Sequence, residues 1–319
     1  MHFSLHAVMS IQDQLPDDIS LNPLQALGIP IALVGAVFLS VGTQMQHRGV
    51  EVVERDRTAT AAEGGRSSSD GPDSVPIVQL VRSPMWVVGT AVLGIAVLMQ
   101  LWALALAPLL VVQPLGAIAL VVTAVLNSRL NGHKLGAGTL RAIFWCIGGI
   151  GLFVTVAALF AVEREISNQQ ALTVLTLLLV VLVAVSVLWL KWRSRINAFV
   201  SIIAAGVLYG FLVTLMKVVI HRVTHGTIDW AVVLCGLGVV AALLVGLYFV
   251  QLAHASGPPD LVIAGLTVID PLVAVMIGVT VLGEASATPV WAIIVFTAAG
   301  AGAVFGVFQL AKHHPQLKS

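Results

Sequence analysis

Charge is scarce in this chain of 319 residues: Asp, Glu, Lys and Arg together make up 10%, against roughly a quarter in ordinary soluble domains. A formal net charge of +1 supplies no clustered basic field, which excludes nucleic acid as a partner. Cysteine occurs twice, as Cys146 and Cys235, both inside apolar stretches and without metal-like spacing, so both are read as free helix residues. Residues 1–23 carry Asp13, Asp17 and Asp18 but no Lys or Arg. They lack the basic start of a signal peptide and are read as a short external tail. A nucleophile elbow, a phosphate loop and a metal-ligand cluster are all missing, and single polar residues are scattered along the chain. An enzyme needs such residues gathered at one site, so catalysis is not expected and no cofactor is implied.

What the chain has is apolar length. Hydrophobic residues make up 58%, and a spanning helix needs about 20 of them in sequence. Nine stretches qualify: 24–46, 84–106, 108–128, 140–162, 171–190, 197–220, 230–252, 260–282 and 288–311. The expected fold is therefore all-α, a polytopic protein of the lipid bilayer. Arg48, Arg55, Arg57, Arg66 and Arg82 follow the first stretch, Arg129, Lys134 and Arg141 the third, and Lys191, Arg193 and Arg195 the fifth. Lys312 and Lys318 close the chain. The positive-inside rule makes these segments cytoplasmic, with the N-terminus outside and the tail at 312–319 inside. Single cysteines placed near Ser68 and Ala285 should then label from inside and outside respectively; the reverse pattern would overturn this orientation.

The chain also repeats itself. Pro108, Leu110, Val111, Leu115, Ile118, Val122, Gly132, Gly149 and Gly151 recur 151 positions later as Pro259, Leu261, Val262, Leu266, Ile269, Val273, Gly283, Gly300 and Gly302. Gly35, Thr43 and Met45 match Gly206, Thr214 and Met216 at a shift of 171. The difference of 20 corresponds to the polar segment 55–76, which runs through Gly64, Gly65, Arg66 and Ser67 to Pro72 and is read as a disordered cytoplasmic loop. Repeat 1 is thus residues 24–162 and repeat 2 residues 197–311, with the stretch at 171–190 as a lone spacer. Corresponding helices lie an odd number apart, so the repeats cross the membrane in opposite directions. Inverted repeats place a solute site near the midplane, between units that rock to give alternating access.

Gln44, Gln46, Gln100, Gln113, Asn127, Lys217, Gln251, His254 and Asp270 interrupt the apolar stretches, and each should face protein or a wet cavity. Asp270 lies about ten residues into its stretch, roughly 15 Å deep at 1.5 Å per residue. A carboxylate there must be paired, protonated or bound to a cation, and Pro271 beside it frees a backbone carbonyl. It is read as a cation-binding or protonation site; the alternative is a neutral Asp hydrogen-bonded between helices. Gln113 with Pro114 offers an amide and a second freed carbonyl, either lining the pathway or merely shaping a kink. Lys217, toward the outer end of its stretch, is explained by snorkelling to the headgroups. His254 is read as solvated or capping at the cytoplasmic end. The glycines Gly148, Gly149, Gly151, Gly300, Gly302 and Gly306 are expected to allow close helix contact.

Trp86 and Gly89, then Ala107, Pro108, Leu110, Val111, Pro114, Leu115, Gly116 and Ala117, then Leu130, Asn131, Lys134 and Leu135 form a pattern that resembles the drug/metabolite transporter (EamA-like) superfamily. Within it the pattern is similar to the NIPA branch, whose described members transport magnesium. Where that branch has Glu before the Lys, this chain has Gly132 and His133, and Leu282, Gly283, Glu284 look like the general superfamily pattern. The resemblance implies a secondary transporter or facilitator in the plasma membrane, with Mg2+ or another divalent cation as solute and Asp270 as its metal ligand. The solute pathway would draw on Asp270, Gln113, Pro114, Lys217, His254 and Gln251. Two other functions fit the same residues: a proton-coupled exporter of a polar metabolite, drug or lipid-linked head group, and a non-transporting membrane scaffold. A second copy of the chain, as a homodimer, is compatible with each.

Overall fold

The computed structural model describes residues 23–64, 77–130, 136–192, 197–227 and 229–312. Every regular element among them is helical: α1 (Pro23–Gly64), α2 (Ile77–Arg82), α3 (Pro84–Leu106), α4 (Leu109–Gly116), α5 (Ile118–Leu130), α6 (Ala137–Phe160), α7 (Asn168–Trp192), α8 (Ala198–Thr224), α9 (Trp230–Ser256), α10 (Pro259–Ile277) and α11 (Val290–Lys312). Nine spans among the described residues are long and apolar enough to cross a membrane, with α4 and α5 together forming the third. Large apolar side chains such as Leu98, Leu179, Val180 and Leu190 stay exposed around the bundle. Lipid, not water, is the solvent that accommodates such a surface. The chain is thus an all-α, multi-pass membrane protein.

Two boundaries differ from expectation. The first helix runs on past residue 46 to Gly64, so the first ten residues of the segment read as disordered are helical. Glu54, Arg55, Ala59, Ala61, Ala62 and Glu63 are polar or small but favour helix, and no proline or glycine interrupts them. Hydropathy ends where the membrane ends; helix propensity does not. Residues 65–76 lie outside the described residues. The second difference is the break in the third span, where Ala117 N–H donates to Pro114 O at 3.2 Å. This tightened turn follows Pro114, whose missing N–H leaves the Leu110 carbonyl without its usual donor.

Helix pairings recur between the two repeats. α1 packs along α3 as α8 packs along α9, and α1 meets α4 and α5 as α8 meets α10. The two units then join through α6 against α11 and α4 against α10, each the meeting of one repeat's helix with its counterpart. α7 packs on α8 and α9, as befits a spacer outside the duplication.

In lipid, close contact depends on small residues because apolar burial gives no driving force between helices. Gly28, Gly35, Gly42 and Gly49 recur every seven residues along α1, and a Cβ on Gly49 would stand 2.7 Å from Trp86 N on α3. The glycines expected to bring α6 and α11 together divide into two kinds. A Cβ on Gly149 would stand 2.5 Å from Ala303 N, and one on Gly306 would collide with Cys146 N, whereas Gly148 and Gly151 face open space. Gly300 and Gly302 have room for ordinary contact with Phe153 and Trp145. Gly149→Ala should therefore cost about 1–3 kcal/mol through overpacking, while Gly148→Ala should be neutral or stabilising by about 0.5–1 kcal/mol through helix propensity. Thermal melts of the two purified variants would separate these outcomes.

Candidate functional site

Two helices in the bundle's centre carry polar side chains and a proline at neighbouring positions. α4 holds Gln113 and Pro114; α10 holds Asp270 and Pro271. The repeat makes the two helices counterparts, though not these residues, since Asp270 falls on Ala119 at the shift of 151, and the helices pack against each other. Gln113 is 5% exposed, and its Nε2 finds no hydrogen-bond partner among the described residues. Asp270 Oδ1 is in the same position. A buried polar atom without a partner costs about 1–3 kcal/mol; Arg222 Nε and Thr288 Oγ1 share the condition elsewhere, while Gln113 and Asp270 lie on helices that pack together.

The backbone around Asp270 is shaped by α8. Gly206 and Gly210, one turn apart, let α8 come so near that a Cβ on Gly210 would stand 3.0 Å from Asp270 O and one on Gly206 2.7 Å from the Ile269 side chain. Tyr209, between them, lies near enough for its phenol and the Asp270 carboxylate to interact electrostatically. Pro271 removes the N–H that would meet the Thr267 carbonyl, so an acceptor is freed one turn below the carboxylate.

Lys217 corrects the expectation of snorkelling. It is 2% exposed, and its ammonium donates to Leu104 O at 2.7 Å, Ala107 O at 2.8 Å and Glu163 Oε1 at 2.5 Å. Those carbonyls end α3, where the last C=O groups of a helix lack intrahelical donors. A lysine capping them from another helix satisfies both ends of the contact. Lipid-facing lysine stems need no such partners, and the buried carbonyls explain why this one turns inward.

Glu284 completes the same end of the bundle. It is buried, and its two oxygens each accept at 3.0 Å from Leu109 N and Leu110 N, the opening N–H groups of α4. The helix N-terminus carries partial positive charge that favours this carboxylate. A five-residue π-helical turn, Gly278–Leu282, and Gly283 in the left-handed region at φ 73° aim the side chain back toward α4. Burial pushes the Glu284 carboxyl above the ordinary 4.5, against the opposing pull of Lys217 and of the two N–H bonds. Val162 N–H donates to Glu284 O at 2.9 Å, and Gln170 Nε2 reaches Val281 O at 3.1 Å, so the loop after α6 and the start of α7 are tied in as well.

Other polar residues lie elsewhere. Gln251 and His254 are exposed near the C-terminal end of α9, and His254 Nδ1 lies 2.9 Å from Val250 O on its own helix. Neither is brought into the arrangement of Gln113 and Asp270. Arg222, 4% exposed, forms a forked pair with Asp229 at 3.0 Å to each oxygen and also bonds Asn168 and Ile166 O, pinning the α8–α9 turn to α7. A cavity of about 370 Å3 beside the Pro114 break is walled by Ile29, Leu33, Leu115, Ile118, Ile147 and Ile150 among others. Its aliphatic walls offer a polar solute almost nothing to bond. Among the described residues no three His, Cys, Asp or Glu side chains gather as a metal site.

The sequence offers no functional reading of Glu163 or Arg222, and Glu284 enters it only as part of the Leu282, Gly283, Glu284 pattern. One signal pointed to the acids: a lysine deep in an apolar stretch requires acceptors, and the loops at its end of the bundle hold Glu163, Glu165, Asp229 and Glu284.

Compared with known proteins, the chain matches no protein-family model and no solved structure. It is 26% identical over 269 residues to an uncharacterized protein of Corynebacterium glutamicum, a likeness covering 81% of this chain and 85% of that one.

Proposed function

We propose that the chain is a membrane carrier of the drug/metabolite transporter type, moving a polar solute by alternating access, with Asp270 as the group that takes up and releases a proton. The observation that carries this reading is the pair of partnerless buried atoms, Asp270 Oδ1 and Gln113 Nε2, on two proline-containing helices that pack together. A fixed scaffold gains nothing from leaving a carboxylate oxygen and an amide unbonded in a bilayer. A carrier needs such groups free to meet a solute in one state and a proton in another.

The inverted pairing of the repeats supplies the moving parts, and units that rock about a central site need no nucleotide site. In the plasma membrane, with the N-terminus outside, the Lys217 end of the bundle faces the exterior.

A divalent cation is the second reading, favoured by the resemblance of α3 to α5 to the magnesium-carrying branch. Magnesium keeps several waters and needs only one or two carboxylates, which Asp270 and freed carbonyls would provide. Proteoliposomes carrying an internal pH dye or a magnesium indicator separate the readings. Asp270-dependent proton movement driven by a solute from a metabolite panel supports the first. Asp270-dependent magnesium entry without proton movement transfers support to the second. If neither ion nor any solute of the panel moves in an Asp270-dependent way, both fall.

A further inference from the structure

We infer that Glu163, Lys217 and Glu284 form the gate that seals the pathway at one face of the bundle, and that this face opens when their contacts break. The inference rests on the carrier reading, because only a protein that alternates needs a seal that can be undone. Two of the ties cross between the repeats: Lys217 of repeat 2 holds the α3–α4 junction of repeat 1, with Glu163 of the loop that follows repeat 1 as its third acceptor; Glu284 of repeat 2 holds the first N–H groups of α4 in repeat 1. Leu104, Leu109, Leu110 and Val111, the residues at this junction, are at most 1% exposed. Under these ties the end of the pathway is shut.

The duplication shows that the device belongs to one face. At the shift of 171 the counterpart of Lys217 is Gln46, an uncharged side chain that donates to Thr90 within its own repeat at 3.0 Å. At the shift of 151 the counterpart of Glu284 is His133, which lies outside the described residues. Symmetry-related positions of an inverted repeat form the two gates of a carrier. Here one of them holds a buried lysine and a helix-capping glutamate where the other has different chemistry.

The ties are also arranged to open in order. Glu163 is 23% exposed against 2% for Lys217, so water can replace the glutamate's share before the lysine leaves its carbonyls. Glu284 lies deeper and releases α4 last, which frees the helix that carries Gln113. Opening is therefore coupled to the polar centre through α4 itself. Glu163 and Glu284 act as positioning residues: neither needs to touch the solute.

The test uses the full-length protein with Cys146 and Cys235 replaced by Ala and with Val111→Cys as a reporter beneath the gate. In sealed proteoliposomes a membrane-impermeant maleimide is applied to one side at a time, with no solute needed. Without a gate substitution the reporter should be protected from the Lys217 side. Glu163→Gln should raise labelling from that side alone by about tenfold or more, a population shift that loss of one charge-assisted bond can supply, and Glu163→Asp should restore protection. Equal labelling in Glu163→Gln and its parent, or a rise from both sides together, would overturn the gate. If Glu163→Gln does not fold, Glu284→Gln is read by the same criteria. Gated labelling in a protein that moves no solute would instead remove the carrier reading and leave the gate standing, so the two failures are told apart.

Discussion

Lys217→Met is expected to destabilise the protein more than any other single substitution of a charged residue, with an apparent melting temperature lower by on the order of 5–10 °C. The change keeps the stem's bulk and removes the ammonium. It leaves Glu163 without its cation and the Leu104 and Ala107 carbonyls without a donor. Breaking a buried ion pair from one side costs about 3–5 kcal/mol; the partial exposure of Glu163 places this case near the lower end, because water can reach that carboxylate. Lys191→Met, at an exposed position at the end of α7, should leave the melt unchanged. Lys217→Arg should fall between them, since a planar guanidinium cannot meet three acceptors arranged for a tetrahedral ammonium.

The loss should also depend on pH, with a sign fixed by Glu284. Its folded carboxyl is raised above the ordinary 4.5, so the folded state binds the extra proton between the two values. Its contribution to stability therefore falls as pH rises through that window. Lys217 is among the groups that hold the value down; without it the folded value rises further and the window extends upward. The deficit of Lys217→Met against the parent should be smallest near pH 4.5 and grow toward neutral pH. A deficit independent of pH would mean that Lys217 acts by packing and not by charge.

Bilayer physics made most of the scaffold legible. A helix that must satisfy every backbone group internally and match a fixed thickness announces itself by length, and the duplication revealed how the helices pair. The break after Pro114 was legible for the same reason, since a missing N–H is a property of one residue, whereas α10 runs on unbroken through Pro271. Lys217 was placed wrongly because its environment is a property of several. Its acceptors lie 54 to 113 residues away in sequence, and Glu163 reads locally as a solvated loop residue. Glu284 bonds α4 across 174 and 175 positions, a contact that only the π-helical turn and Gly283 make possible. The course of α1 to Gly64 is not legible from apolarity, which marks the bilayer and not the helix.

Asp270→Asn separates stability from function, and here the expected effects run in opposite directions. In the fold, Oδ1 of Asp270 has no donor among the described residues, so the carboxylate contributes no identified bond through that atom. An amide of nearly the same shape is easier to bury than a charge, and the melting temperature should hold or rise. Transport should fall by about a hundredfold or more, to the level of empty liposomes, because an amide neither exchanges a proton near neutral pH nor binds a hard cation as a carboxylate does. Gln113→Leu should show a milder version: stability preserved, since its Nε2 is also unbonded, and half-saturating solute concentration raised while the maximal rate changes less. Initial flux and thermal melts on the same preparations decide the matter. Unchanged flux in Asp270→Asn would remove Asp270 from the pathway. A large drop in melting temperature would make it a structural residue, and the unbonded oxygen would then have found a partner among residues outside those described.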